Sequence, residues 1–516
     1  MTPSDTSNLK HKAVRGGAFT FASQWTRFVL RIASTAILSR LLEKDDFGLV
    51  AMVTAFTGFA SLFADAGLTQ AAMRAKVLSR EQASTLFWIN LAVATVVAIV
   101  VIACSPLIAL FYGKTELTLI ACVTSSALIA GALGAQHVAM LQRELRFGRL
   151  AVAETVGNVS GVAIGITLAA LGAGYWALVV QVIATSAITS IGAWLATGWR
   201  PMRPAFAPGT RDLLTSGSHL SGTEVLNYIG VNADSVVIGK FAGEAPLGEY
   251  SRAQGLLLMP LTQIIGPFTK VAVPLLSRLQ DQPERFARAY YKMVALVALV
   301  STPLIAVLMV GARDIVLIML GPKFADAAQL FQILAIAAWG MPVVATTTWV
   351  AIATGQTKAL FWRNLIRVVV FVAAFLVGVQ WSAVGVAWAY VIATHALRVP
   401  MTWWTLSTTP VSLRGLTKST WIATVIGVLG AAAMVGPAYF LPVPATTPTW
   451  LSPWITLTAT LLAGAAVMGS LTWFWPRARR EFLEAIDLVR SARRGRPINE
   501  ANSSIADSQN GPSVEG

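Results

Sequence analysis

Fourteen runs of about twenty mostly apolar residues recur along this chain, each long enough to cross a ~30 Å hydrocarbon core. They fall at 17 to 41, 48 to 68, 86 to 112, 117 to 141, 150 to 171 and 174 to 197, then at 213 to 241, 249 to 276, 290 to 312, 328 to 353, 359 to 379, 383 to 405, 419 to 440 and 451 to 475. With 55% hydrophobic and 12% charged residues and a mean hydropathy of +0.66, the 516-residue chain lies outside the soluble globular class. The expected fold is an all-α polytopic membrane protein of about fourteen spans. The first run is too long for a signal-peptide core and lacks a small-residue cleavage motif, so it is expected to stay as an uncleaved anchor. Cys104 and Cys122 lie within apolar runs and read as packing residues.

Basic residues orient the spans, because short cytoplasmic loops retain Lys and Arg. Alternate connections, beginning with the amino-terminal tail, hold Lys10, Lys12 and Arg15; Arg74, Lys76 and Arg80; Arg143, Arg146 and Arg149; Arg200, Arg203 and Arg211; Arg278, Arg285, Arg288 and Lys292; Lys358 and Arg363; Arg398, Arg414 and Lys418; and the arginines from Arg477 to Arg496. The opposite loops hold only Lys44, Lys114, Lys240, Arg313 and Lys323. Both termini are therefore expected in the cytoplasm. The net charge of +15 is a topological signal rather than a nucleic-acid footprint.

Sliding the chain by 200 residues pairs the first span with the seventh. Gly17 meets Gly217, Ala33 meets Ala233, Ser34 meets Asp234, Thr35 meets Ser235, Arg40 meets Lys240 and Gly48 meets Gly248. Gly174-Tyr175-Trp176-Ala177 echoes Gly385-Val386-Ala387-Trp388. The expected organisation is a cytoplasmic tail at 1–16, a six-helix lobe at 17–200, a pseudo-symmetric six-helix lobe at 211–405, two further spans at 419–475, and a cytoplasmic segment at 476–516. Both copies enter the membrane from the same side, a layout of alternating-access transporters.

Charge inside the spans is costly and marks function or pairing. Six basic residues lie within or at the edges of spans: Arg27, Arg31, Arg40, Arg252, Lys270 and Arg367. Arg27 and Arg31, one turn apart on one face, are expected to line a wet cavity that receives an anion. The alternative is a structural ion pair, for example with Asp234 or Glu224. Arg40 and Arg252 lie near span ends, where snorkelling competes with function. The acidic residues within spans are Asp65, Glu154, Glu224, Asp234 and Glu249. Pro260, Pro267 and Pro274 predict a kinked eighth span, as hinge or as shaped wall. Gly157, Gly161 and Gly165 predict close helix packing. Trp450, Trp454, Trp473 and Trp475 bracket the last span as interfacial anchors. Residues 477–494 suit an amphipathic surface helix, and the polar stretch beyond Arg496 suits disorder.

A family resemblance rests on Asn227-Tyr-Ile-Gly-Val-Asn-Ala-Asp234, Ile238-Gly239-Lys240, Leu247-Gly248-Glu249-Tyr250-Ser-Arg-Ala253, Phe63-Ala-Asp65-Ala-Gly67-Leu68 and Leu141-Gln-Arg143-Glu-Leu-Arg146-Phe147. Over residues 10 to 475 the chain resembles the polysaccharide branch of the multidrug/oligosaccharidyl-lipid/polysaccharide flippase superfamily, the Wzx flippases of the WzxC-like group. The resemblance implies paired six-helix lobes in the bacterial inner membrane and a cavity bordered by spans one, two, seven and eight. It also implies an undecaprenyl-diphosphate-linked oligosaccharide as substrate, with polysaccharide polymerase and export proteins as candidate partners. Arg27 and Arg31 would hold the diphosphate, since guanidinium forks bind phosphate oxygens bidentately. Arg252 and Lys270 would extend the basic path, and Glu224, Asn227 and Asp234 would couple transport to a proton or sodium gradient.

No cofactor is implied. The chain has no phosphate-cradling GxxxxGK[ST] sequence, its histidines His11, His137, His219 and His395 are scattered, and it has no large extramembrane loop for catalytic residues. Two rivals stand beside the flippase reading: a membrane polymerase or ligase of the same lipid-linked glycan, and a drug exporter of the same superfamily, which would favour an acidic cavity over a basic one.

Overall fold

A computed structural model describes residues 24–65, 78–204, 221–441, 448–476, 478–480 and 483. The tail at 1–16, most of the expected amphipathic segment at 477–494 and the stretch beyond Arg496 lie outside the described residues.

The described residues are helical, with no strand among them. The first nine helices follow the first nine apolar runs: α1 (24–41), α2 (Lys44–Asp65), α3 (Arg80–Tyr112), α4 (Glu116–Arg143), α5 (Phe147–Ala170), α6 (Trp176–Thr197), α7 (Ser221–Phe241), α8 (Glu244–Arg278) and α9 (Pro283–Val310). The short α10 (Ala312–Met319) precedes α11 (Ala327–Ala338) and α12 (Met341–Ala353), which together form a span bent by 44°. Then come α13 (Thr357–Gly378), α14 (Ser382–Leu406), α15 (Leu413–Phe440) and α16 (Ser452–Phe474).

By length and apolarity alone, ten helices among the described residues can cross a membrane, or eleven with the bent pair. The sequence reading expected fourteen. Helix α1 carries too much charge to pass such a test, with Arg27, Arg31 and Arg40, and in α7 the polar residues Glu224, Asn227, Asn232 and Asp234 lower the mean hydropathy. Residues 359–406 count there as one long element, although the chain turns back within it. A methyl group on Gly378 or Gly385 would collide with the other's carbonyl oxygen, and Phe371 stacks edge-on to Tyr390 at 5.4 Å.

Two compact units emerge. The first holds described residues up to Met259, with Ala312–Ala337 and Thr357–Leu397; the second holds Pro260–Gly311, Ala338–Gln356 and the chain from Arg398. Within α8 the boundary falls between Met259 and Pro260, the first of three helix-interior prolines. Backbone bonds are missing at such points.

In the first unit, α5 and α6 pack along the small-residue stripe that the sequence marked. Side chains added at Gly157, Gly161 and Gly165 would strike Thr189, Thr185 and Gln181. The facing side of α6 bonds to α4 through backbone carbonyls: Ser190 to Ala130 at 2.6 Å and Trp194 Nε1 to Leu133 at 2.6 Å. Polar side chains hold helices together in this way where water is scarce.

In the second unit, Phe286, Tyr290, Val294 and Trp349 are fully buried in the core. Each polar tip there is satisfied, Trp349 Nε1 donating to Thr269 Oγ1 at 2.9 Å and Tyr290 pairing with Thr346 at 3.0 Å. Gly430 and Gly464 let α15 and α16 interlock through Met468 and Met434.

Candidate functional site

At 3.6 residues per α-helical turn, a spacing of four places Arg27 and Arg31 on one face of α1. Arg27 forms an ion pair with Glu154 of α5, the two side chains 33% and 26% exposed. An ion pair was the alternative to a substrate role, but Asp234 and Glu224 were the partners considered. At these exposures the pair is partly buried rather than sealed. Arg31 is exposed and meets no hydrogen-bond or ion-pair partner among the described residues.

The other proposed binding residues are more scattered. Arg252 of α8 lies in the first unit, its guanidinium 4.6 Å above the Phe47 ring and its Nε buried without a hydrogen-bond partner. Lys270 is exposed and belongs to the second unit. Arg40 donates to the carbonyls of Ile318 at 2.6 Å and Met319 at 3.4 Å, capping the end of α10, where the helix dipole favours a cation.

Glu224, Asn227 and Asp234 occupy one helix, α7, but do not converge. Glu224 is exposed. Asn227 Oδ1 accepts from Arg367 of α13 at 3.1 Å. Asp234 is 2% exposed and receives four bonds: Tyr250 Oη at 2.8 Å, Gln254 Nε2 at 2.8 Å, and the Ser235 amide and hydroxyl at 2.7 and 3.3 Å. Every group around it donates, an arrangement suited to an ionised carboxylate. Tyr250 and Gln254 stand four residues apart on α8, so one turn of that helix supplies both donors.

The helix pair that carries Arg27 and Glu154 is echoed in the second copy. Asn227 occupies the position of Arg27 shifted by 200, and it meets Arg367 on α13. The cation has moved to the partner helix, joined one turn earlier by Arg363, which is 9% exposed. Sequence reasoning placed Arg363 with the loop residues because it follows a run boundary closely. Its four-residue spacing from Arg367, the spacing of Arg27 and Arg31, was the available signal.

The sparsely basic loops cluster at one end of the first unit. Lys44 pairs with Glu249 and, at 3.3 Å, with Asp326. Lys114 meets Glu244 at 2.6 Å, Lys323 meets Glu43 at 2.5 Å, and Lys240 donates to the Phe111 carbonyl. Glu244 raises the pKa of Lys114 through that hydrogen bond. Beneath this layer α2 and α8 cross at repeat-related glycines. A methyl on Gly48 would strike the Glu244 carbonyl oxygen, and one on Gly248 the Lys44 carbonyl oxygen. Residues 44 and 244, like 48 and 248, are 200 apart, so the two copies meet as a pseudo-symmetric pair.

An apolar cavity of about 500 Å³ between α9, α15 and α16 is lined by residues such as Leu304, Val307 and Leu461. Its one charged wall residue, Arg479, stacks on Trp473 at 4.4 Å. No group of converging polar side chains marks it as a site for chemistry.

Against known proteins, the chain is 23% identical over 393 residues to the lipopolysaccharide biosynthesis protein WzxC of Escherichia coli (strain K12), covering 75% of this chain and 79% of that one. Its fold matches that of the lipid II flippase MurJ in an inward closed conformation, with a TM-score of 0.66, 14% identity, and coverage of 90% and 99% of the two chains. It also matches an inward-facing multidrug resistance MATE family transporter of the MOP superfamily, with a TM-score of 0.61, 14% identity, and coverage of 78% and 99%. The model of the polysaccharide biosynthesis protein family matches residues 37–329, more than half of the sequence. The chain belongs to the polysaccharide biosynthesis protein family.

Proposed function

We propose that this protein is a transporter, not an enzyme: a flippase that turns a lipid-linked oligosaccharide from the cytoplasmic to the outer leaflet of the bacterial inner membrane by alternating access. The carrier is undecaprenyl diphosphate, both termini are cytoplasmic, and polysaccharide polymerase and export proteins act downstream. The observation that carries the reading is the placement of cations inside the apolar helices of a fold shared with a lipid II flippase. Exposed Arg31 and half-buried Arg27 meet the diphosphate, while the lipid tail remains in the bilayer. The likeness to WzxC, a lipopolysaccharide biosynthesis protein, supports a glycan as cargo.

Coupling to a proton or sodium gradient is assigned to Asp234, with Asn227 and Glu224 on the same helix. A carboxylate held by four donors changes its bonding when a proton or metal cation arrives.

The test is deletion of the protein followed by leaflet-specific labelling of undecaprenyl-linked glycan. Accumulation in the cytoplasmic leaflet is the expected result. Unpolymerised glycan in the outer leaflet would instead identify a polymerase or ligase, and unchanged glycan together with lost export of cationic drugs would identify a drug exporter.

A further inference from the structure

Arg363 and Arg367 place two like charges one turn apart on α13. Arg363 is 9% exposed and has no hydrogen-bond or ion-pair partner among the described residues. Arg367 donates one hydrogen bond, to the neutral Oδ1 of Asn227, and its Nε is also buried and unpartnered. Elsewhere in the first unit, Arg27, Lys44, Lys114 and Lys323 each meet a carboxylate, whereas Arg31 is exposed and Arg252 lies over the Phe47 ring. The pair of Arg363 and Arg367 meets no carboxylate among the described residues. Helix α7 packs directly against it, since a side chain at Gly230 would touch both Val368 and Arg367. A buried charge such as that of Arg363 is strongly unfavourable without a counter-charge, so the pair of arginines points to an anion that arrives from outside the fold.

We infer that Arg363 and Arg367, with the amide of Asn227, form a binding site for a phosphoryl anion. Two guanidinium forks on one face offer paired N–H donors that match phosphate oxygens, and the Asn227 Nδ2 group adds donors beside them. Arg363 lies six residues inside α13, about 9 Å along the axis from its first residue, which makes that end of the helix the nearer one to the pair. The identification of the anion as the carrier's diphosphate rests on the flippase reading. Free pyrophosphate and the phosphate of an anionic phospholipid share the same chemistry.

The experiment uses the full chain in lipid nanodiscs and compares wild type, the R363Q/R367Q double variant and R363M. The probes are undecaprenyl diphosphate, inorganic pyrophosphate and phosphatidylglycerol, each titrated in zwitterionic discs. Undecaprenyl diphosphate is expected to bind wild type and to lose about ten- to a hundred-fold in affinity in the double variant. If pyrophosphate shows the same loss, the site reads the phosphates alone. If phosphatidylglycerol does and the diphosphates do not, its occupant is a membrane lipid.

R363M removes an uncompensated buried charge, so ligand-free R363M is expected to melt above wild type while binding weakly. Equal binding of all three probes by wild type and the double variant overturns the inference. So does an R363M variant that melts lower or fails to fold, because the arginine is then structural. Flipping of labelled glycan-lipid in vesicles separates the two readings. Mutation-sensitive phosphate binding without flipping removes the flippase and leaves the site, whereas flipping with mutation-insensitive binding removes only the site.

Discussion

At the scale of single residues, a charge exchange separates the ion pair of Arg27 from its proposed contact with substrate. The R27E/E154R double variant restores the ion pair, so its folding and expression are expected to return to wild-type levels after the loss seen in R27E alone. Flipping is expected to stay impaired, because position 27 no longer carries a cation beside Arg31. Recovery of flipping by the exchange would make the pair purely structural. Asp234 offers a second test. Asn at this position keeps the shape but turns an N–H group toward donors, costing about 1–3 kcal/mol in thermal or denaturant unfolding. D234N is also expected to remove the dependence of flipping on the ion gradient. A gradient response that persists in a folded D234N protein excludes this carboxylate as the coupling group.

Among the elements, the crossing of α2 and α8 has little tolerance. Both backbones approach where Gly48 and Gly248 lack side chains, so G48V or G248V forces them apart. The expected destabilisation is about 1–3 kcal/mol or more, read as a fall in melting temperature of the detergent-solubilised protein. By contrast, G255A on α8 is expected to be neutral or slightly stabilising, since nothing lies within 4 Å of the position its side chain would take. Equal tolerance at positions 48, 248 and 255 would show that the crossing is not tight.

For the molecule as a whole, the ion pairs of Lys44, Lys114 and Lys323 join the two sequence copies at one end of the first unit. They are partly exposed, so each is worth little alone and the group acts together. In an alternating-access cycle such a layer must break for that end to open. Spin labels in a T115C/F241C protein lacking Cys104 and Cys122 are expected to report a short distance, with a longer population appearing on adding K44Q and K114Q. An unchanged distance distribution would mean that the packed glycines, not the charges, hold that end.

Helices over the apolar runs, the offset of 200 that pairs Gly48 with Gly248 and the grouping of the sparsely basic loops were legible because each is written in local composition or in a fixed offset along the chain, whereas the count of fourteen spans was not reached among the described residues. The α5 stripe was legible for the same reason, since Gly157, Gly161 and Gly165 recur at a helical period. Partners were not. Arg27 and Glu154 are 127 residues apart, and no local pattern distinguishes Glu154 from other acidic residues as the one that answers the arginine. Nor does α7 alone show that Asp234 turns toward Tyr250 and Gln254 while Asn227 turns toward Arg367.

From its sequence alone this protein is a polytopic helical chain, because hydropathy and loop charge act residue by residue. Only the tertiary structure decided which buried charges are answered and which are left waiting. A charge's cost depends on what other helices bring within hydrogen-bonding reach, and that distance is set by packing rather than by order along the chain.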